Sequence, residues 1–220
     1  MLNKEMKITE RERIRLILNL LADHYPLAKT RLVFKNKYQL FVATVLSAQT
    51  TDDQVNKITA RLFKEITSFS VMAKMTPEEL EQYVKSCGLY RNKSRSLVRA
   101  SRIIEKEYGG RLPDSFDELI KLPGVGRKTA NIIISAGFEK PALAVDTHVF
   151  RVSKRLGLAE GKDVTSVEEQ LKKVIPRGKW IDLHHRLIAH GRAVCFARNP
   201  RCEQCFLANL CFYVQKKGEI

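Results

Sequence analysis

Apolar residues return at three- and four-residue spacing along most of this chain, which is the periodicity of helices rather than strands. The spacing predicts helices over 11–25, 38–48, 52–66, 77–86 and 91–108. It predicts five more over 115–122, 128–138, 147–156, 166–175 and 180–197. Breakers fall between them, at Tyr25-Pro26, Thr76-Pro77, Gly109-Gly110, Leu112-Pro113, Lys140-Pro141, Gly157 and Gly178. No alternating run is long enough to count as a strand, and no segment repeats. Many short helices without a repeat predict a compact all-α protein rather than a solenoid.

One junction in this pattern carries chemistry. Leu122-Pro123-Gly124-Val125-Gly126-Arg127-Lys128 separates two predicted helices. Pro123 stops the first, Gly124 and Gly126 permit a tight turn, and the second helix points free N–H groups forward, which suits a phosphate. Lys128 opens that second helix, and Asp146 follows eighteen residues later in Val145-Asp146-Thr147-His148. An amine at a phosphate-binding turn, with a carboxylate available elsewhere, is what an imine-forming enzyme acting on a nucleic-acid sugar needs. Spacing alone leaves a plainer reading open, with Lys128 a solvated cation and Asp146 a helix N-cap.

Composition and charge narrow the partner. The 220 residues are enough for one or two compact domains, and 44% hydrophobic residues is ordinary for a soluble globular protein. No stretch approaches the roughly 18 apolar residues of a membrane span. The start, Met1-Leu2-Asn3-Lys4-Glu5-Met6-Lys7, lacks an apolar signal core, so the expectation is a cytoplasmic protein that is not secreted. Lys and Arg number 39 against 24 Asp and Glu, a net charge of +15. That excess predicts a polyanionic partner, nucleic acid before membrane, held through phosphate with little information about base sequence. Arg91, Arg95, Arg99 and Arg102 form a basic stripe opposite Leu97, Ala100 and Ile104 on one predicted helix. The stripe reads either as a solvated face or as a phosphate track.

Four of the five cysteines crowd the C-terminus as Cys195, Cys202, Cys205 and Cys211. Without a secretion signal they read as a metal or cluster site before a disulfide set. Structural zinc usually takes two close ligand pairs, and this run has one Cys-x-x-Cys. An iron–sulfur cubane accepts four thiolates from one wrapped loop and suits the spacing better, although zinc stays open on chemistry alone. Cys87 stands apart and is expected to be a small buried side chain.

The glycine turn ending in Lys128, the aspartate at 146 and the four-cysteine spacing together resemble the endonuclease III family of DNA glycosylases. The resemblance runs from about Tyr38 to Cys211. Leu46-Ser47-Ala48-Gln49-Thr50-Thr51-Asp52, Gly88-Leu89-Tyr90 and the segment from Val145 to Val152 also look like family segments. It implies an all-α, two-lobed helix-hairpin-helix glycosylase fold with a DNA cleft between the lobes. Residues 30–140 would form a six-helix barrel with the hairpin at about 114–136. Residues 1–29 and 141–220 would form a second lobe holding a [4Fe-4S] cluster on the four cysteines.

The same resemblance implies that Lys128 attacks the sugar C1′ of a damaged, flipped-out pyrimidine, expels the base and cleaves the abasic site through an imine. The amine must be neutral, and partial burial, Arg127 and the helix N-terminus would favour that form. Asp146 would orient the amine, assist proton transfer and stabilise the cationic sugar. Gln49 would fill the gap left by the flipped nucleotide and Leu89 would wedge the opposite strand, against plainer readings as a helix-end polar residue and a core leucine. Gly124, Gly126, Arg127, Arg198 and Arg201 would contact the DNA backbone, and His148 resembles a family residue near the site, against a plainer reading in which it caps or packs. The partner would be double-stranded DNA carrying a damaged pyrimidine or an abasic site, bound by a monomer in the nucleoid. Two rivals are a monofunctional adenine glycosylase, which lacks a lysine at the position of Lys128, and a non-catalytic DNA-binding or iron–sulfur module.

Overall fold

The computed structural model describes residues 8–218, and these are α-helical without a β-strand. Helices α1 to α12 are Glu10–His24, Lys37–Leu46, Asp52–Glu65, Phe69–Lys74, Pro77–Val84, Tyr90–Tyr108, Phe116–Leu119, Arg127–Phe138, Thr147–Leu156, Val164–Val174, Trp180–Ala193 and Phe212–Gly218. None of the described helices is long and apolar enough to cross a membrane. Two of the twelve, α4 and α12, have no counterpart among the sequence-predicted helices. Both are too short for a periodic stripe to show. The helix predicted over 180–197 ends at Ala193 instead, because the N–H groups of Val194 and Cys195 both turn back to the carbonyl of His190.

Most helix starts are sealed by side chains. Thr9, Asn36, Thr51, Ser68, Thr76, Ser115, Asp146 and Asp163 each accept a first-turn N–H, which satisfies donors that would otherwise be orphaned. Helices α6, α8 and α11 begin without such a cap. Leu89 precedes α6 in the left-handed conformation, and Gly126 precedes α8, neither with a side-chain cap.

The chain divides into two compact units. Residues Thr30–Ala142 form one, in which α4 and α5 pack on α6, and α2 packs on α3, α6 and α8. Its core is deep and apolar, with Phe41, Leu46, Leu62, Met72, Leu80, Leu97, Ile104 and Ile133 excluded from solvent. The other unit joins the N-terminal segment through Lys29 to the chain from Leu143 onward. There α9 packs on α11 and α12, and α1 on α11, around Ile17, Leu21, Val149, Val152, Leu171 and Leu187.

Candidate active site and metal centre

In the unit Thr30–Ala142, the junction foreseen from the sequence is a single helical turn, α7, followed by a tight turn into α8. Leu122 N–H donates to Leu119 O, and Val125 N–H to Leu122 O, both at 3.1 Å. Gly124 has φ +82°, and a Cβ there would lie 2.9 Å from the Cβ of Ser96 on α6, so glycine is required twice over. Gly126 caps α8 without a side-chain hydrogen bond, and a helix N-terminus of that kind suits an anion. Arg127 stacks on the Phe116 ring at 5.0 Å and thereby joins the two arms of the hairpin. Lys128 is the second residue of α8 and is exposed. The partial burial expected from the sequence is therefore absent, because the residue lies on the outer side of the helix while Ala130, Asn131, Ile133 and Ile134 face the core.

Gln49 and Leu89 occupy two turns of the same unit. Both have left-handed backbones, with φ 54° and 58°, a conformation that L-residues pay for and that recurs at functional sites. Leu89 is 55% exposed, which removes the core-leucine reading, and Gln49 is exposed too. The turns touch, since a Cβ on Gly88 would lie 3.0 Å from the carbonyl oxygen of Gln49. Beneath them Lys93, on α6, is buried and donates to Leu46 O and Thr50 Oγ1. Sequence reading passed over Lys93 as one more cation, although its spacing to Leu97, Ala100 and Ile104 puts it on the apolar stripe. Of the basic stripe, Arg102 is committed to the carbonyls of Ala73 and Met75 and closes the end of α4. Arg91, Arg95 and Arg99 are exposed.

In the other unit Asp146 is the N-cap of α9, its Oδ1 accepting from the N–H of His148 and Val149 at 2.9 and 2.8 Å. Both bonds go to one oxygen, so capping leaves Oδ2 for other work. His148 is half-buried. It pairs with Arg151 at 3.1 Å and faces Gly191, where a Cβ would meet its Nδ1 at 2.9 Å. Burial holds its pKa below the ordinary imidazole value, against the pull of Asp146.

Cys195, Cys202, Cys205 and Cys211 line one pocket, together with Arg155, His190, Val194 and Tyr213. Short 3₁₀ turns at Cys202–Gln204 and Ala208–Leu210 wrap the chain around it. Burial pushes the Cys205 and Cys211 thiols up, and their neighbouring cysteines push them further. Backbone N–H groups of Leu207, Tyr213 and Val214 oppose this by pointing at those sulfurs. Four crowded thiols with N–H donors aimed at them, of which Cys195 also accepts from Arg155 Nη1 at 3.3 Å, fit an iron–sulfur cluster, whose cationic irons offset the repulsion among thiolates. Arg155 also donates to Phe196 O and Ala197 O, and Arg151 to Cys195 O, so two arginines of α9 hold the start of this segment. Sequence reading missed both, since nothing in their spacing separates them from solvated cations. Arg198 and Arg201 are exposed, and Arg201 stacks on Phe196 at 5.2 Å.

Comparison with known proteins agrees with this geometry. The model of the HhH-GPD superfamily of base excision DNA repair proteins matches residues 42–177, and that of the iron-sulfur binding domain of endonuclease III matches residues 195–211. Endonuclease III of Bacillus subtilis is 47% identical over 94% of this chain and 95% of its own length. A solved endonuclease III in a non-covalent complex with DNA is 45% identical, with a TM-score of 0.90 over 97% of this chain and 100% of that one. A second, trapped as a covalent intermediate with DNA, matches equally well, with 45% identity and a TM-score of 0.90 over 96% of this chain and 100% of that one. Residues 195–211 are thus an iron–sulfur cluster segment, and the chain belongs to the endonuclease III family of DNA glycosylases and abasic-site lyases.

Proposed function

We propose that this enzyme removes oxidised pyrimidines from duplex DNA and then cuts the strand at the abasic site, with Lys128 as nucleophile. The observation that carries the reading is the placement of Lys128, an exposed amine in the first turn of a helix whose N-terminus has no side-chain cap, just past a two-glycine turn. A helix N-terminus of that kind suits one phosphate of the strand and would leave the adjoining sugar beside the amine. A net charge of +15 supports a DNA partner, as do the relatives solved in complex with DNA.

A base in the stack cannot be reached, so the damaged nucleotide is extruded, with Gln49 filling the gap and Leu89 wedging the opposite strand. The Lys128 amine attacks C1′, the bond to the base breaks, and the base leaves with the electron pair and takes up a proton. The nitrogen loses one proton, the C1′–O4′ bond opens with O4′ taking up a proton, and a protonated imine between Nζ and C1′ results. Removal of a C2′ proton then expels the 3′ phosphate, and water releases the lysine. Asp146, fixed by its cap, uses Oδ2 to orient the amine, assist proton transfer and stabilise positive charge on the sugar.

Cys195, Cys202, Cys205 and Cys211 would hold a [4Fe-4S] cluster, whose role when bound is structural, since four thiolates leave no open position for substrate. These cysteines shape the segment that carries Arg198 and Arg201, which contact backbone phosphates beside Gly124, Gly126 and Arg127. The test uses duplexes containing thymine glycol or an abasic site, with and without borohydride. Wild-type protein should be trapped covalently and cut both. Lys128→Ala and Lys128→Gln should lose all trapping while retaining most DNA binding, because phosphate contacts are spread over many cations. Undiminished trapping in the alanine variant moves the nucleophile elsewhere.

A further inference from the structure

We propose that Lys93 is a positioning residue, a buried clamp that locks the turns of Gln49 and Leu89 together so that they enter the duplex as one rigid pair. The inference rests on the inserting roles proposed above for those two side chains.

Lys93 is 6% exposed, an unusual place for an ammonium group. Its Nζ donates to Leu46 O at 2.8 Å and Thr50 Oγ1 at 2.9 Å, and lies 3.8 Å from Cys87 Sγ. Those three partners bracket both turns. Leu46 ends α2 three residues before Gln49, Thr50 follows Gln49 directly, and Cys87 stands two residues before Leu89. The thiol of Cys87 donates to the same Leu46 carbonyl at 3.6 Å. A cation at the C-terminal end of α2 also meets the favourable end of that helix's dipole. Gly88 completes the contact, its Cα facing the Gln49 carbonyl so closely that a Cβ would sit 3.0 Å away.

Gln49 and Leu89 are exposed, so their left-handed backbones are held for the sake of the side chains they present, and strained residues persist only where their surroundings over-determine them. A desolvated ammonium between two strained turns supplies that determination with directional bonds, which an apolar contact would not. Burial draws the pKa of Lys93 below the usual lysine value, with Cys87 pulling the other way.

The test compares Lys93→Met, which keeps the apolar stem and loses the charge, with Leu89→Ala and with the double variant. Each is assayed on a thymine-glycol duplex and on an abasic site in a pre-opened bubble, with 2-aminopurine opposite the lesion to report unstacking. Lys93→Met should slow action on the paired lesion on the order of tenfold, weaken the 2-aminopurine signal, and leave cleavage of the opened site nearly intact. The double variant should be no worse than Leu89→Ala, because the clamp acts through the wedge. Thr50→Val, a milder cut of the same clamp, should shift the substrate ratio in the same direction and carries the test if Lys93→Met does not fold. Equal losses on both substrates, or additive losses in the double variant, overturn the clamp. A substrate-selective loss in Leu89→Ala with none in Lys93→Met or Thr50→Val overturns it while sparing the wedge. No selective loss in Leu89→Ala removes the wedge, and the clamp with it.

Discussion

The two units solve the problem of holding functional groups in different ways. In Thr30–Ala142 the exposed side chains stand on turns backed by a dry core, with Leu97, Val98, Ala100 and Ile104 of α6 fully buried beneath them. Hydrophobic burial, together with the buried bonds of Lys93, fixes that geometry without any ligand. In the other unit the chain from Val194 to Cys211 has only short 3₁₀ turns; Leu207 anchors it in the apolar core, and its start and end are tied by polar contacts. Arg151 and Arg155 bind its carbonyls. Arg13 donates to Leu156, Gly157 and Leu210 O and lies 4.1 Å over the Phe212 ring. A segment that ends its backbone bonds on arginines and gathers four thiols is built to be completed by its metal, and there the free energy of binding becomes free energy of folding.

The largest expected effect tests that contrast directly. Cys202→Ser, or removal of iron by a chelator, should abolish the visible thiolate-to-iron absorption and loosen the unit containing 143–218, while amides of α2, α6 and α8 keep their hydrogen-exchange protection. DNA binding should weaken as Arg198 and Arg201 lose their placement. Equal loss of protection in both units would break the comparison, and a colourless protein containing stoichiometric zinc with full lyase activity would overturn the cluster.

A residue of the second unit that needs no metal sharpens it. Asp146→Asn should fold and bind DNA normally, since asparagine caps a helix about as well as aspartate. Turnover should fall on the order of hundreds-fold if proton transfer and charge stabilisation both depend on the carboxylate. Near-normal turnover would reduce Asp146 to its cap.

The smallest effect concerns acid stability. Burial, with a contribution from His184, pushes His185 down to about 4, against the pull of Asp182. The folded state therefore prefers neutral His185 more than the unfolded state does. Its stabilisation is complete above the unfolded value of about 6.5 and is lost as pH falls towards 4, by at most about 3 kcal/mol. His185→Gln should flatten the fall in stability between about pH 6.5 and 5, followed by denaturant melts; an unchanged slope would place the acid sensitivity elsewhere.

Sequence alone determined the helices with a strong 3.6-residue stripe, the glycine turn before α8 and the cysteine quartet, because each is written in local spacing. It also offered Asp146 as a helix cap, since a cap depends on one side chain and the N–H groups just after it. Only the tertiary structure decided what each cation does. On α6, Lys93 is buried under two turns, Arg102 closes α4 and Arg95 faces solvent, and only Lys93 carries a local mark, its place on the apolar stripe. Arg151 and Arg155 share α9 with no mark distinguishing them from solvated arginines, yet both bind the cysteine segment. The exposure of Lys128 and Leu89 was likewise settled by packing, as was the early end of α11 at Ala193. The physical reason is one of range. Periodicity and capping act within a turn or two of helix, whereas the partner of a long flexible side chain is chosen by which carbonyl the fold brings within about 3 Å of it.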